Sequence, residues 1–126
     1  MADANTRAWY TGPQDDQALA AIGCIEHPAD RYVAAHRAAE QLALVVISAT
    51  PGRVRGRHDV WELLARRAPY LAEWAAFFGY LSTRVQVVAA GERAIVVERE
   101  ADDLVRDLER FVTDIARRVD FRRGVS

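Results

Sequence analysis

The chain has 126 residues, enough for one domain that buries a sizeable core without disulfides or metal, and too few for two. Hydrophobic residues make up 51% and charged residues 28%, a balance that excludes a disordered chain. The 17 basic side chains stand against 18 acidic ones, a net charge of −1, so no uniformly basic nucleic-acid coat exists and only local patches remain.

Every basic residue is Arg. The lack of Lys excludes Schiff-base chemistry and a Walker-type phosphate loop. The single cysteine, Cys24, excludes an intrachain disulfide and a thiolate-rich metal site, fits a reducing interior, and reads as a small core residue between Ile22 and Ile25. No Glu-x-x-His pair, Gly-x-Gly-x-x-Gly or Gly-x-Ser-x-Gly occurs. With histidines only at 27, 36 and 58, no metal site and no cofactor is expected.

Residues 1–13 read as an extended arm carrying Trp9 and Tyr10 and ending in a Gly12-Pro13 break, and residues 14–126 as one helical domain. The arm lacks the basic-then-apolar layout of a secretory signal. The longest aliphatic run, Leu42 to Ile47, is far short of the roughly 20 residues a membrane span needs, so a cytoplasmic location is expected.

A first helix is predicted from about Gln14 to Glu26, with Asp15 and Asp16 in its first turn complementing the helix dipole. Pro28 suits a first helical position, and a second helix follows over Ala29 to Ala49. Its alanines make it intrinsically strong, and Tyr32, Ala35, Ala39, Leu42, Val46 and Ala49 form an inward stripe. Thr50 to His58 is the one clear loop. Asp59, with Glu62 three residues on, starts a third helix to about Arg67, with Trp61, Leu64 and Ala68 as its buried edge. Pro69 opens a fourth, with Leu71, Trp74, Phe78 and Leu81 on one face, a bend or break at Gly79, and a stop at Gly91. The last helix, Glu98 to Asp120, carries an apolar seam of Ala101, Leu104, Leu108, Phe111, Ile115 and Val119. Four-residue spacing on its other face predicts the pairs Asp102–Arg106, Arg110–Asp114 and Asp114–Arg118. The pattern is an all-α, up-down bundle of four to five helices.

Three stretches add a resemblance. Arg31-Tyr-Val-Ala-Ala-His-Arg-Ala-Ala-Glu resembles the alanine-rich second helix of HEPN domains, the higher-eukaryote and prokaryote nucleotide-binding superfamily. Trp61-Glu-Leu-Leu-Ala-Arg-Arg-Ala-Pro-Tyr-Leu-Ala-Glu-Trp-Ala-Ala-Phe-Phe is similar to the central block of its small, stand-alone actinobacterial SAV-type branch. Arg99-Glu-Ala-Asp-Asp-Leu-Val-Arg-Asp-Leu-Glu-Arg-Phe resembles that branch's closing helix. The resemblance implies a helical bundle that pairs as a homodimer and either cleaves RNA without metal or binds nucleotides or RNA without cleaving. Cleaving members carry an Arg-x(4–6)-His motif late in the bundle. Here no His follows position 58.

Two early pairs match that spacing. Arg31 and His36 are five residues apart on a predicted helix, which leaves their side chains about 140° apart. The plainer reading makes Arg31 a solvated first-turn residue and His36 a packing histidine. Arg53 and His58 have the right components, an imidazole to take a ribose hydroxyl proton and a guanidinium to stabilise charge at phosphorus, but stand in a glycine-containing loop. Thr50 to Arg67, with Arg53, Arg55, Arg57, Arg66 and Arg67, carries a local +3; Arg117 to Arg123 carries another +3, and Glu98 to Arg110 a local −3. If the loop and the C-terminal stretch share one side, they form an anion-binding patch for RNA or a nucleotide. The aromatics Trp61, Tyr70, Trp74, Phe77, Phe78 and Tyr80 read as core or dimer interface rather than base-stacking platform. The resulting expectation is a non-catalytic, homodimeric module that binds RNA, a nucleotide or a protein partner. The alternatives are a metal-independent endoribonuclease using Arg53/His58 or Arg31/His36, and a purely structural interaction module.

Overall fold

The structure is a computed structural model that describes residues 12–52 and 59–125, with side chains over 16–52 and 59–118. Five helices run through it: α1 (Gly12–Gly23), α2 (Pro28–Ala49), α3 (Val60–Arg67), α4 (Ala72–Ala89) and α5 (Glu98–Val125). Single 3-10 turns, Pro69–Leu71 and Arg93–Ile95, lead into and out of α4, and no strand occurs among the described residues. The fold is the all-α bundle the periodicity predicts.

Helix boundaries follow local chemistry. Pro28 opens α2, and His27 caps it by accepting the Ala29 N–H on Nδ1 at 3.1 Å. Asp59 caps α3 by accepting the Trp61 N–H at 2.9 Å. Gly91 ends α4 at φ 132°, where its own N–H reaches Val88 O and that of Glu92 reaches Val87 O, a Schellman closure. Two boundaries differ from expectation. The first helix starts at Gly12 and stops at Gly23, because Pro13 is tolerated in a first turn; the rest of the predicted arm lies outside the described residues. Cys24 therefore falls on the turn after α1, exposed rather than in the core.

Helices α2 and α5 lie side by side and parallel: Arg31 meets Glu98 and Asp102 near their starts, while Leu42 and Val45 share a groove with Leu108 and Val112 further along. Helix α4 runs antiparallel to both, pairing Arg84 with Glu100 at one end and Trp74 with Asp114 at the other. Tyr32, Leu64, Leu71, Phe78, Leu108, Phe111 and Ile115 are fully buried between the helices. Phe78 centres the aromatic cluster, with ring centroids 5.1 Å from Trp61, 5.0 Å from Phe111 and 5.9 Å from Trp74, distances at which aromatic pairs attract.

Gly79 does not break α4, which runs uninterrupted from Ala72 to Ala89. A Cβ there would lie 3.2 Å from the Cβ of Trp61, so the glycine admits α3 against α4. Tyr80 departs from the aromatic core: it is 85% exposed. The α5 seam is buried from Ala101 to Ile115, while the Val119 side chain lies outside the described residues. Of the three predicted ion pairs on α5, Asp114–Arg118 forms at 3.7 Å. Asp102 instead turns to Arg31, Arg106 pairs with Asp103, and Arg110 approaches Asp107 at 3.8 Å.

Candidate nucleic-acid interface

The pair Arg31 and His36 does not converge. Arg31, expected at the solvated surface, is 7% exposed. Its Nε donates to Ile25 O at 2.9 Å and Nη2 to Glu26 O at 3.0 Å, capturing carbonyls of the α1–α2 turn. Its Nη1 donates to Glu98 Oε2 at 2.8 Å and Asp102 Oδ1 at 2.9 Å on α5. The Glu98 hydrogen bond, aided by the charges of Glu98 and Asp102, raises the guanidinium pKa against the opposing effect of burial. The sequence expectation failed because both acids lie more than 65 residues away in the chain.

His36 points the other way. Its Nε2 meets Phe78 O at 2.9 Å, and since a carbonyl only accepts, this nitrogen carries the proton. The ring stands edge-on to Trp61 and Phe78 at 5.7 and 6.1 Å and is 2% exposed. It sits as the packing histidine of the plainer reading, with Nδ1 buried 3.8 Å from Glu40 Oε1 and without a hydrogen bond. His27, the other described histidine, is spent on capping α2.

Arg53, Arg55, Arg57 and His58 lie outside the described residues. The flanks of their loop are well placed. Arg67 Nη1 donates to Pro51 O at 3.1 Å and packs so closely on Gly52 (φ 128°) that a Cβ there would come within 2.8 Å of its Cζ. The chain therefore leaves α2 directly beside the last turn of α3, where Arg66 and Arg67 complement the negative end of the helix dipole.

The C-terminal part of α5 reaches the same end of the bundle. Arg118 Cζ stands 4.8 Å from the ring centroid of Tyr70, in the 3-10 turn that follows α3. Its Nε also faces Asp114 Oδ1 at 3.7 Å, while Asp114 Oδ2 accepts the Trp74 indole N–H at 3.1 Å. Arg66, beside Arg67, and Arg117, beside Arg118, are exposed. Arg66 and Arg67, singled out in the sequence, thus stand at one end with Arg117 and Arg118, and Tyr70 marks the junction. The local +3 of the C-terminal stretch already contained that signal; its placement came only from the Tyr70 contact. The opposite end carries the acidic start of α5, with Glu98, Glu100, Asp102 and Asp103.

Guanidinium groups arranged like this can bind phosphate oxygens through paired N–H donors. Neither described histidine lies among them. No group of three or more His, Cys, Asp or Glu side chains suited to a metal ion occurs among the described residues, and no described helix is long and apolar enough to cross a membrane. No curated protein and no solved structure matches the chain. The family model described as SAV_6107-like HEPN matches residues 23–116, from the end of α1 through the seam of α5. An all-α bundle matched over three-quarters of its length by that model belongs to the SAV_6107-like HEPN family.

Proposed function

We propose that this chain is a non-catalytic, cytoplasmic HEPN module that binds RNA or nucleotide phosphates at the α3–α5 end and works as a homodimer. The observation that carries the binding reading is the stacking of Arg118 over Tyr70, which supports a single patch made from α3 and α5 arginines. The non-catalytic reading is supported by Arg31 and His36, which turn to different sides of α2, Arg31 to the α5 carboxylates and His36 Nε2 to Phe78 O. Binding by such a patch is electrostatic and weakens as salt rises.

Dimerisation is supported by the outer face of α4. Between Ala72 and Ala90 only Glu73 and Arg84 are charged, and Ala76, Tyr80, Thr83 and Val87 lie exposed along the helix without a charge among them. Helices apolar on all sides are buried in the working assembly. A second copy is the partner that supplies the same uncharged face.

Fluorescence polarisation with a labelled single-stranded RNA, at low and moderate salt, tests the binding reading. Saturable binding whose logarithmic salt slope shrinks by about 0.7 for each phosphate contact removed is expected for Arg66→Gln and Arg118→Gln. Binding at neither salt concentration would leave an interaction-only protein. Cleavage of the RNA in EDTA, abolished by both Arg53→Ala and His58→Ala, would instead establish the endoribonuclease. Light scattering reads the dimer, and Tyr80→Glu is expected to yield monomer.

A further inference from the structure

His36 is buried where α2, α3 and α4 meet, and both of its ring nitrogens face hydrogen-bond acceptors. Nε2 stands 2.9 Å from Phe78 O, which can only accept, so this nitrogen carries a proton. Nδ1 is buried without a hydrogen bond, and Glu40 Oε1, one helical turn on, lies 3.8 Å away. A neutral imidazole has a single N–H. With Nε2 donating, Nδ1 therefore turns a lone pair towards a carboxylate and is left unsatisfied. The imidazolium has two N–H groups: it keeps the Phe78 bond and gives Nδ1 a proton to donate to Glu40.

No other charge competes for that place. Trp61 from α3 and Phe78 from α4 stand edge-on to the ring at 5.7 and 6.1 Å, and neither is charged. Helix α5 reaches the same cluster through Phe111, 6.5 Å from the Trp61 ring. Glu62 on α3 and Arg37 on α2 are exposed, and Arg84 on α4 is bound to Glu100. Among the described residues Glu40 is the one carboxylate within 4 Å of the imidazole. Its side chain is 42% exposed, so it has room to move, and an advance of about 1 Å makes the contact a hydrogen bond.

We propose that His36 and Glu40 form a proton-operated clasp: protonation of Nδ1 from solvent draws the Glu40 carboxylate onto the buried ring, and loss of that proton releases it. Histidine is the side chain that changes charge within the physiological pH range. Arg37, Gln41 and Leu44 form the exposed stripe of α2 beside Glu40. The clasped state withdraws a negative charge from this face, and the released state returns it.

Two-bond proton–nitrogen correlation spectra of the full chain, recorded between about pH 8 and pH 5, follow both nitrogens of His36. Nε2–H is expected throughout, with a second proton on Nδ1 in acid and a Glu40 carboxyl signal that moves at the same midpoint. Glu40→Gln should lower the affinity of the ring for that proton about tenfold, because burial then acts on the imidazolium without an opposing carboxylate charge. Glutamine also offers an N–H that serves the neutral Nδ1. The proposal fails if Nδ1 stays unprotonated across this range in the folded chain, if the Glu40 signal moves independently of the ring, or if Glu40→Gln leaves the midpoint in place. The indole N–H of Trp61 is buried and unpaired as well. A coupling through a hydrogen bond from that N–H to Nδ1 would show the neutral ring already satisfied and would overturn the clasp.

Discussion

Arg31, in the first turn of α2, and Glu98, at the start of α5, are joined at 2.8 Å across 67 residues of chain. Together with Asp102 and the carbonyls of Ile25 and Glu26, this contact fixes the α1–α2 turn and two parallel helices at one point. Arg31→Met keeps the length of the side chain but strands two carbonyls and two carboxylates. A loss of about 2–3 kcal/mol is expected, less than for a fully buried pair because Glu98 and Asp102 reach solvent. Arg31→Lys should recover little, since one ammonium cannot serve acceptors on three sides. Urea unfolding of both variants measures this; wild-type stability in the Lys variant would show that charge alone suffices.

His36 contributes packing and one hydrogen bond. His36→Ala opens a cavity beside Trp61 and Phe78 and should cost about 2–4 kcal/mol. His36→Phe should cost about 1 kcal/mol, because Phe78 O also accepts from Ser82 Oγ. RNA affinity of the folded variants should equal that of the parent. A His36→Phe protein with parental stability but altered RNA binding or cleavage would contradict the packing role.

Gly79→Ala inverts a general rule. In a free helix the change stabilises by about 1 kcal/mol. Here the new methyl meets the Trp61 Cβ at 3.2 Å, an atom tied to the α3 backbone and unable to swing aside. Overpacking of this kind costs about 1–3 kcal/mol, so a net loss is expected together with a shifted indole emission. A higher melting temperature would show that α3 moves freely on α4.

Much of this architecture was legible because it rests on local rules. The Pro28 start, the Asp59 cap, the Gly91 stop and the seam from Ala101 to Ile115 depend on residues within one or two turns of each other. The errors share a different cause. Arg31 reads as solvated because its partners arrive from α5, and for the same reason spacing pairs Asp102 with Arg106 where the fold pairs it with Arg31. By sequence Gly79 is a weakness of α4, but the space of its missing side chain is taken by Trp61. Tyr80, which the sequence leaves between core and dimer interface, is carried by the helical turn to the outside. The two +3 stretches are legible in composition, whereas the Tyr70–Arg118 contact, between the turn after α3 and the far part of α5, is long-range and is not.

Asp107 gives the fold a pH dependence of predictable sign. Burial pushes its carboxyl above the ordinary value, Arg110 and Arg106 pull it down, Asp103 pushes it up, and the balance is upward. The folded chain thus holds this proton more tightly than the unfolded chain. Its contribution to stability declines as pH rises from the unfolded value of about 3.8 through the folded one, and the cost persists at neutral pH. Asp107→Asn cannot ionise and escapes that cost. The variant should gain melting temperature over the parent between acid and neutral pH, the gap widening through that window and constant beyond it. Melting curves of both proteins at several pH values measure the gap. A gap that narrows as pH rises would mean that Arg110 stabilises the carboxylate more than burial penalises it.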